Sequence, residues 1–379
     1  MKAINNCKLI AKDGIQENMV VIFDEKIIDI VPESSMSGYR PDEVIDGEGN
    51  YLSPGFIDIH IHGCFGEDVM DAGEDTLENI SRSIAKTGVT SFLATTMTMD
   101  MDRIRKALYN IRNSMGKTDG AEILGCHLEG PFISRVFKGA QDERYIVNPR
   151  FSEIEEFKDI IKIITLAPEN EGSIEFIKEC KKHGILVSIG HSNASYEEAM
   201  EAINAGAVHI THTYNAMTPL HHRNPGIVGA AMLSDASCEL IVDNVHVHPA
   251  AQKILLRMKG NDKVILITDA MRACLMEEGL YDLGGQKVTV KNNEARLSNG
   301  ALAGSVLTID RAIRNFIHNH GIALQEVVRM VSLNPAAAIG IDDKKGSIEK
   351  GKDADMVLFN ESIEVCETIV KGKTVHRRY

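Results

Sequence analysis

From Ser53 onward the chain alternates short apolar runs, each ending in a polar or ionisable residue, with stretches whose apolar residues recur every three or four positions. Eight such runs can be read: PGFIDIHIHG, GVTSFLATT, AEILGCHLEG, IIKIITLAPE, ILVSIGHS, VHITHTYN, CELIVDNVH and KVILITDAM. Runs of this length and bias predict buried parallel strands. Several are separated by segments with helical spacing, such as TLENISRSIAKTG and SIEFIKECKKHG, the second closed by a glycine stop. Eight strand–helix units over about 290 residues match a (β/α)8 barrel, with a doubly wound open sheet as the structural alternative. The two ends are β-rich (NMVVIFDEKIIDIV, DADMVLFN, ETIVKGKTV), with turn residues such as KDG and KGK between the runs. Neither end alone could bury a sizeable core. The predicted fold is therefore α/β: a TIM-type barrel over 54–345, with a small β-sandwich domain built from 1–53 plus 346–379. No internal repeat or low-complexity segment is visible.

Composition narrows the function. The chain has 379 residues, 44% apolar and 25% charged, as expected for a globular protein with buried cores. Lys and Arg total 41 against 54 Asp and Glu, a formal net charge of −13 with no basic run, which argues against nucleic-acid binding. An anionic substrate would then need local cations or backbone N–H groups. No apolar stretch approaches the ~18 residues of a membrane span, and the opening MKAINNCKLIAKDG lacks a continuous apolar core, so a cytoplasmic location away from membranes is expected. The seven cysteines show no paired spacing and are read as reduced thiols, with Cys64, Cys126 and Cys274 as packing residues. Tryptophan is absent and aromatics are 5%, which disfavours a stacking platform for polymers and favours a small ligand.

The ionisable residues fall where barrel chemistry happens. Of the fourteen histidines, seven lie in one stretch: His191, His209, His212, His221, His222, His246 and His248. His60, His62, Glu129, His191, His212, His246 and Asp269 all lie at or near the carboxyl ends of predicted strands, the face that carries the active site in this fold. His60 and His62 are two apart on a strand and point the same way. Taken singly, each of these residues has a structural reading: a rim histidine, a salt-bridge partner, or a helix N-cap for Asp269. Jointly, a carboxylate and imidazoles converging from different strands are what a divalent metal requires, with Glu129, His191 and His212 as three ligands beside an open position. Imidazole and carboxylate suit Zn, Fe, Mn or Co.

PGFIDIHIHG, HLEGPF, GHSNA, THTYNAMTPLHHRNPG, DNVHVHP, ITDAM, LAGSVLTI and GSIEKGKDADMVLF together resemble the N-acetylglucosamine-6-phosphate deacetylase family of the amidohydrolase superfamily over essentially the whole chain. YNAM and HLEGP are far more specific than H-x-H. The resemblance implies Glu129, His191 and His212 as primary metal ligands and Asp269 as the acid/base. It implies Asn215 and Ala216 as phosphate-binding donors, Arg223 as a phosphate clamp reaching across a homodimer interface, and His246 as a sugar-binding residue, with Gln141 and Leu302 also among the substrate-binding positions. Both His60 and His62 are present, so one or two ions per subunit are expected, with Glu129 bridging. The fourth run ends TLAPEN without a lysine, which disfavours the carbamylated-lysine centres of dihydroorotase and urease.

The expected reaction is hydrolysis of the acetamide of a small phosphorylated amino sugar, in amino-sugar catabolism. Asp269 takes a proton from the attacking water and delivers it to the leaving nitrogen. His127, two residues before Glu129, either orients the carbonyl or partners a ligand. His221 and His222 are further phosphate candidates or members of a solvated loop. The rivals are the galactosamine epimer as substrate, a metal-dependent deaminase or cyclic amidase, and a catalytically dead barrel kept as a scaffold.

Overall fold

The structure, a computed structural model, describes residues 1–378. Each of the eight apolar runs contains one strand of a parallel barrel: β1 (Phe56–Ile61), β2 (Val89–Thr96), β3 (Glu122–Glu129), β4 (Ile161–Leu166), β5 (Leu186–Ile189), β6 (His209–Ile210), β7 (Ser237–Ile241) and β8 (Val264–Ile267). Neighbours in sequence are neighbours in the sheet. The seam between β8 and β1 is held by Thr268, whose Oγ1 donates to Asp58 Oδ2 at 2.6 Å, and by the Asp269 N–H on the His60 carbonyl at 2.9 Å. The barrel is thereby nearly closed, not an open doubly wound sheet.

The helical segments pack their apolar stripes on this barrel. In α1 (Thr76–Ala85), Leu77, Ile80 and Ile84 are buried, the i, i+3, i+7 spacing of one face. In α3 (Ser173–Lys182, with α2 at Met101–Ser114), Phe176, Ile177 and Cys180 are buried, and Gly184 follows at φ 70°. After β5, α4 (Tyr196–Ala205) starts with a capping box: Ser195 Oγ accepts the Glu198 N–H and Glu198 Oε2 accepts the Ser195 N–H. Among the described residues no α-helix lies between β3 and β4. Gly130, Pro131, Gly139 and Pro149 punctuate that crossover, which instead carries short 3₁₀ turns at Glu143–Tyr145, Phe151–Glu153 and Glu155–Phe157.

Both chain ends contribute to a six-stranded sheet in the order Lys373–Arg377, Val365–Val370, Met356–Phe359, Tyr51–Pro54, Lys8–Ala11, Gly14–Gln16, beside a four-stranded sheet from residues 2–46. Their shared core mixes Ile4, Leu9, Val21, Phe23 and Leu52 with Met356, Leu358 and Ile369. The buried Lys345 ammonium binds Glu122 at the start of β3 at 2.7 Å, Asp353 at 3.2 Å, and Asp355.

One element was not read from the sequence. Between β8 and the next helix stands a three-stranded antiparallel sheet, β9 (Gly279–Leu283), β10 (Gln286–Lys291) and β11 (Glu294–Leu297). Its turns are Gly284-Gly285 and Asn292-Asn293, all four residues at positive φ, as tight two-residue hairpins require. Leu283, Val288 and Leu297 pack it on Met97, Met271 and Val306 as a canopy over the carboxyl face of the barrel. Among the described residues no helix is long and apolar enough to cross a membrane.

Candidate metal centre and substrate cavity

The site is built at strand ends. His60 and His62 lie on and just after β1, Glu129 is the last residue of β3, and His191, His212 and Asp269 each stand two residues beyond β5, β6 and β8. These last three hold φ of 47°, 26° and 49°, a left-handed conformation uncommon outside glycine. The surrounding chain imposes it: the Ser134 N–H binds the His191 carbonyl at 2.8 Å, and the Ser305 N–H binds the Asp269 carbonyl at 2.7 Å. The turn swings each side chain back over the barrel mouth, where all six residues are buried.

Glu129 Oε1, His191 Nε2 and His212 Nε2 form a near-equilateral triangle with sides of 3.2, 3.1 and 3.1 Å. Ligand atoms about 2.0–2.1 Å from a tetrahedral ion stand ~3.3 Å apart, so this triangle matches one face of such a shell. Beside it stand His62 Nε2, 3.2 Å from Glu129 Oε2 and 3.3 Å from Asp269 Oδ1, and His60 Nε2, 3.4 Å from Glu129 Oε1. The two ring nitrogens of His191 and His212 face each other, and His191 Nδ1 already donates to the Phe137 carbonyl at 3.0 Å, which leaves its Nε2 a lone pair. Among the described residues His60 Nε2 is buried without a hydrogen-bond partner. A cation between these atoms satisfies all of them, so the residues fit a divalent metal.

The electrostatics agree. Burial would push the Glu129 carboxyl up, yet His191 and His60 hold it well below the usual range. Burial likewise opposes, and His62 outweighs it, at Asp269, whose pKa is lowered. Burial disfavours charge on His62, but Asp269 and Glu129 raise it to about 9. Each carboxylate is set to stay ionised against a positive charge.

These groups open onto a cavity of about 310 Å³. Of the expected residues, His62, Glu129, His191, His212, Asp269, Asn215, Ala216, His246, Gln141 and Leu302 line it. Gln141 Nε2 donates to Glu129 Oε2 at 2.8 Å while its Oε1 accepts the Thr98 N–H. His246 donates through Nδ1 to Asp243 Oδ2 at 2.6 Å, which leaves Nε2 for the cavity; burial lowers its pKa, but Asp243 outweighs this and raises it. His60 sits beneath the floor. His127 does not reach the cavity: it is fully buried behind His60, its Nδ1 donates to the Ile59 carbonyl at 3.0 Å and its Nε2 accepts from Thr165 at 2.7 Å. Burial and the adjacent His60 lower its pKa to about 3, so it is neutral. Nor does a single chain bring Arg223 to the cavity; it lies on an exposed loop with Nη1 against His222 at 2.9 Å, and His221 is exposed beside it.

Sequence reasoning missed Glu239, fully buried in β7 between His60 and His209. A carboxylate in the middle of the apolar run CELIV was the available signal, since such a charge inside a barrel is costly without partners. It also missed the canopy, which adds Leu283 to the cavity wall.

The sequence signature of the amidohydrolase family matches residues 51–375. The chain is 43% identical over 377 residues to the N-acetylglucosamine-6-phosphate deacetylase of Lysinibacillus sphaericus, covering 98% of this chain and 96% of that one. It is 35% identical over 373 residues to the N-acetylgalactosamine-6-phosphate deacetylase of Escherichia coli O157:H7, covering 97% of each. Its fold matches the crystal structure of N-acetylglucosamine-6-phosphate deacetylase from Pasteurella multocida with a TM-score of 0.94 at 33% identity, over 100% of both chains.

Proposed function

The chain belongs to the amidohydrolase family, and from that premise we propose that it hydrolyses the acetamide of N-acetyl-D-glucosamine 6-phosphate to D-glucosamine 6-phosphate and acetate. The observation that carries the reading is the Glu129–His191–His212 triangle lining one cavity together with Asp269, of a size suited to a small ligand.

Glu129, His191 and His212 would hold a divalent ion, with His60 and His62, grouped with Glu129, as ligands of a second. Zn, Fe, Mn or Co suits this donor set. When bound, the ion supplies a more acidic water and a polarised acetyl carbonyl. Asp269, in the ionised form, accepts the proton of the attacking water and returns it to the amine nitrogen as the C–N bond breaks. The water oxygen forms the new bond to the acetyl carbon, so acetate leaves with that oxygen and the sugar keeps the nitrogen. His246, oriented by Asp243, offers Nε2 to the sugar. Asn215 and Ala216 line the phosphate end. Among the described residues lining the cavity there is no lysine or arginine, which supports Arg223 entering from a second subunit of a homodimer. We assign 1–53 plus 346–379 to one β domain and 54–345 to the barrel, as their mixed apolar core suggests, and place the enzyme in the cytoplasm.

Acetate release from the two epimeric 6-phosphates, run beside metal analysis, tests the assignment. Faster turnover of the glucosamine derivative is expected. The similarity to a galactosamine-type enzyme makes the reverse preference the second reading, and no acetate from either would leave a scaffold. Arg223→Ala should erase the preference for N-acetylglucosamine 6-phosphate over N-acetylglucosamine; equal handling of both sugars by both proteins refutes the phosphate role.

A further inference from the structure

Below the metal centre, Glu239, to which the proposed reaction gives no role, is held from three directions. Its Oε2 accepts His60 Nδ1–H at 2.9 Å and the backbone N–H of His212 at 3.0 Å, and its Oε1 accepts His209 Nε2–H at 3.1 Å. His209 is itself fixed at Nδ1 by Ser237 Oγ at 2.6 Å. An ionised carboxylate can only accept, so the His60 proton sits on Nδ1 and the lone pair on Nε2. That Nε2 is buried, has no hydrogen-bond partner among the described residues, and points at Glu129 Oε1 and Asp269 Oδ1, 3.4 and 3.6 Å away. The arrangement sets tautomer, ring orientation and basicity of one imidazole from behind, as partners of metal-bound histidines do.

We propose that Glu239 is the positioning residue for His60 and sets how tightly the His60–His62 side of the centre takes a divalent cation. The inference rests on the metal-centre reading above. Glu239 touches neither cavity nor substrate. It acts through His60, with His209 and Ser237 bracing it from the far end of the strand.

The test is Co²⁺ titration of metal-free protein, with bound ion counted after dialysis and folding checked by circular dichroism. The weakest Co²⁺ affinity of Glu239→Gln is expected to fall about 10- to 100-fold, the usual effect of losing such a partner. In a His60→Gln background the same change should have less than about a twofold effect. Glu239→Asp, which keeps the charge but withdraws the oxygens by one methylene, should weaken binding as well and stands in if the glutamine variant does not fold. Unchanged affinity in a folded Glu239 variant overturns the proposal, and so does an equal loss in the His60→Gln background. If His60→Gln alone binds Co²⁺ like the wild type, the metal-centre reading of His60 has failed, a result visible without any Glu239 variant.

Discussion

Asp269 draws its role from where its backbone turns: φ 49° two residues past β8, with Oδ1 3.3 Å from His62 and the cavity in front. Asp269→Asn keeps shape and should keep the metal, but cannot accept a proton. Turnover should fall by about 100-fold or more, within the range of general acid–base catalysis, in protein shown by metal analysis to be loaded. Near-normal turnover would exclude the role. At this scale the sequence was informative where chemistry is intrinsic to a residue type and opaque where direction matters. Glu129, His191, His212 and Asp269 could be grouped because few other reasons bring imidazoles and carboxylates to strand ends. His127 could not be placed, since it shares a strand face with Glu129 yet sits one layer deeper, sealed by Ile59 and Thr165. Arg223 remains outside a single chain's cavity, on an exposed loop beside His222.

At the level of elements, strands were legible because each apolar run is bounded by turn residues, whereas the two hairpins of the canopy were not. β10 alternates buried Val288 and Val290 with exposed Lys287, Thr289 and Lys291, and Gly284-Gly285 and Asn292-Asn293 mark both turns, but β9 exposes Leu280 and buries Leu283, so its apolar residues trace no single face. The canopy is tied to the crossover after β3 by Gln286 Nε2, which donates to the Ala140 carbonyl beside Gln141. Gln286→Ala should loosen that side of the cavity and raise KM several-fold with a smaller change in kcat; a pure kcat defect would show that the contact serves something else. The capping box at α4 makes a stability prediction instead. Ser195→Ala should cost about 1 kcal/mol, read as a lower denaturant midpoint at unchanged slope.

Across the whole molecule, Lys345 couples the barrel to the sheets formed by the chain ends, since Glu122 opens β3 while Asp353 and Asp355 precede Met356–Phe359. Burial pushes the Glu122 and Asp353 carboxyls up, but Lys345 outweighs it and their pKa values are lowered; at Asp355 burial wins and the value is raised. The lowered pair stabilises the fold above the ordinary carboxylate pKa of about 4, and that stability is lost as pH falls through their folded values, with Asp355 offsetting part of it. Lys345→Met leaves the buried Asp355 without its ammonium, while Glu122 keeps Lys371 and Asp353 keeps Lys26, and should destabilise by about 3 kcal/mol at pH 7. The deficit should shrink below about pH 4 as those groups take up protons, so urea midpoints of mutant and wild type should converge between pH 7 and pH 3.5. A constant gap would mean that the ammonium does not interact with them. The pairing that surrounds this lysine also has a consequence in time. Tyr51–Pro54 finds its partner in Met356–Phe359, roughly 300 residues later in the chain. At a ribosomal pace of about 5–20 residues per second, that edge waits on the order of 15–60 s during synthesis before its neighbour emerges. The Leu52 face stays open through that interval, while the barrel itself is being made, so the nascent chain carries an aggregation-prone edge until the last strands arrive.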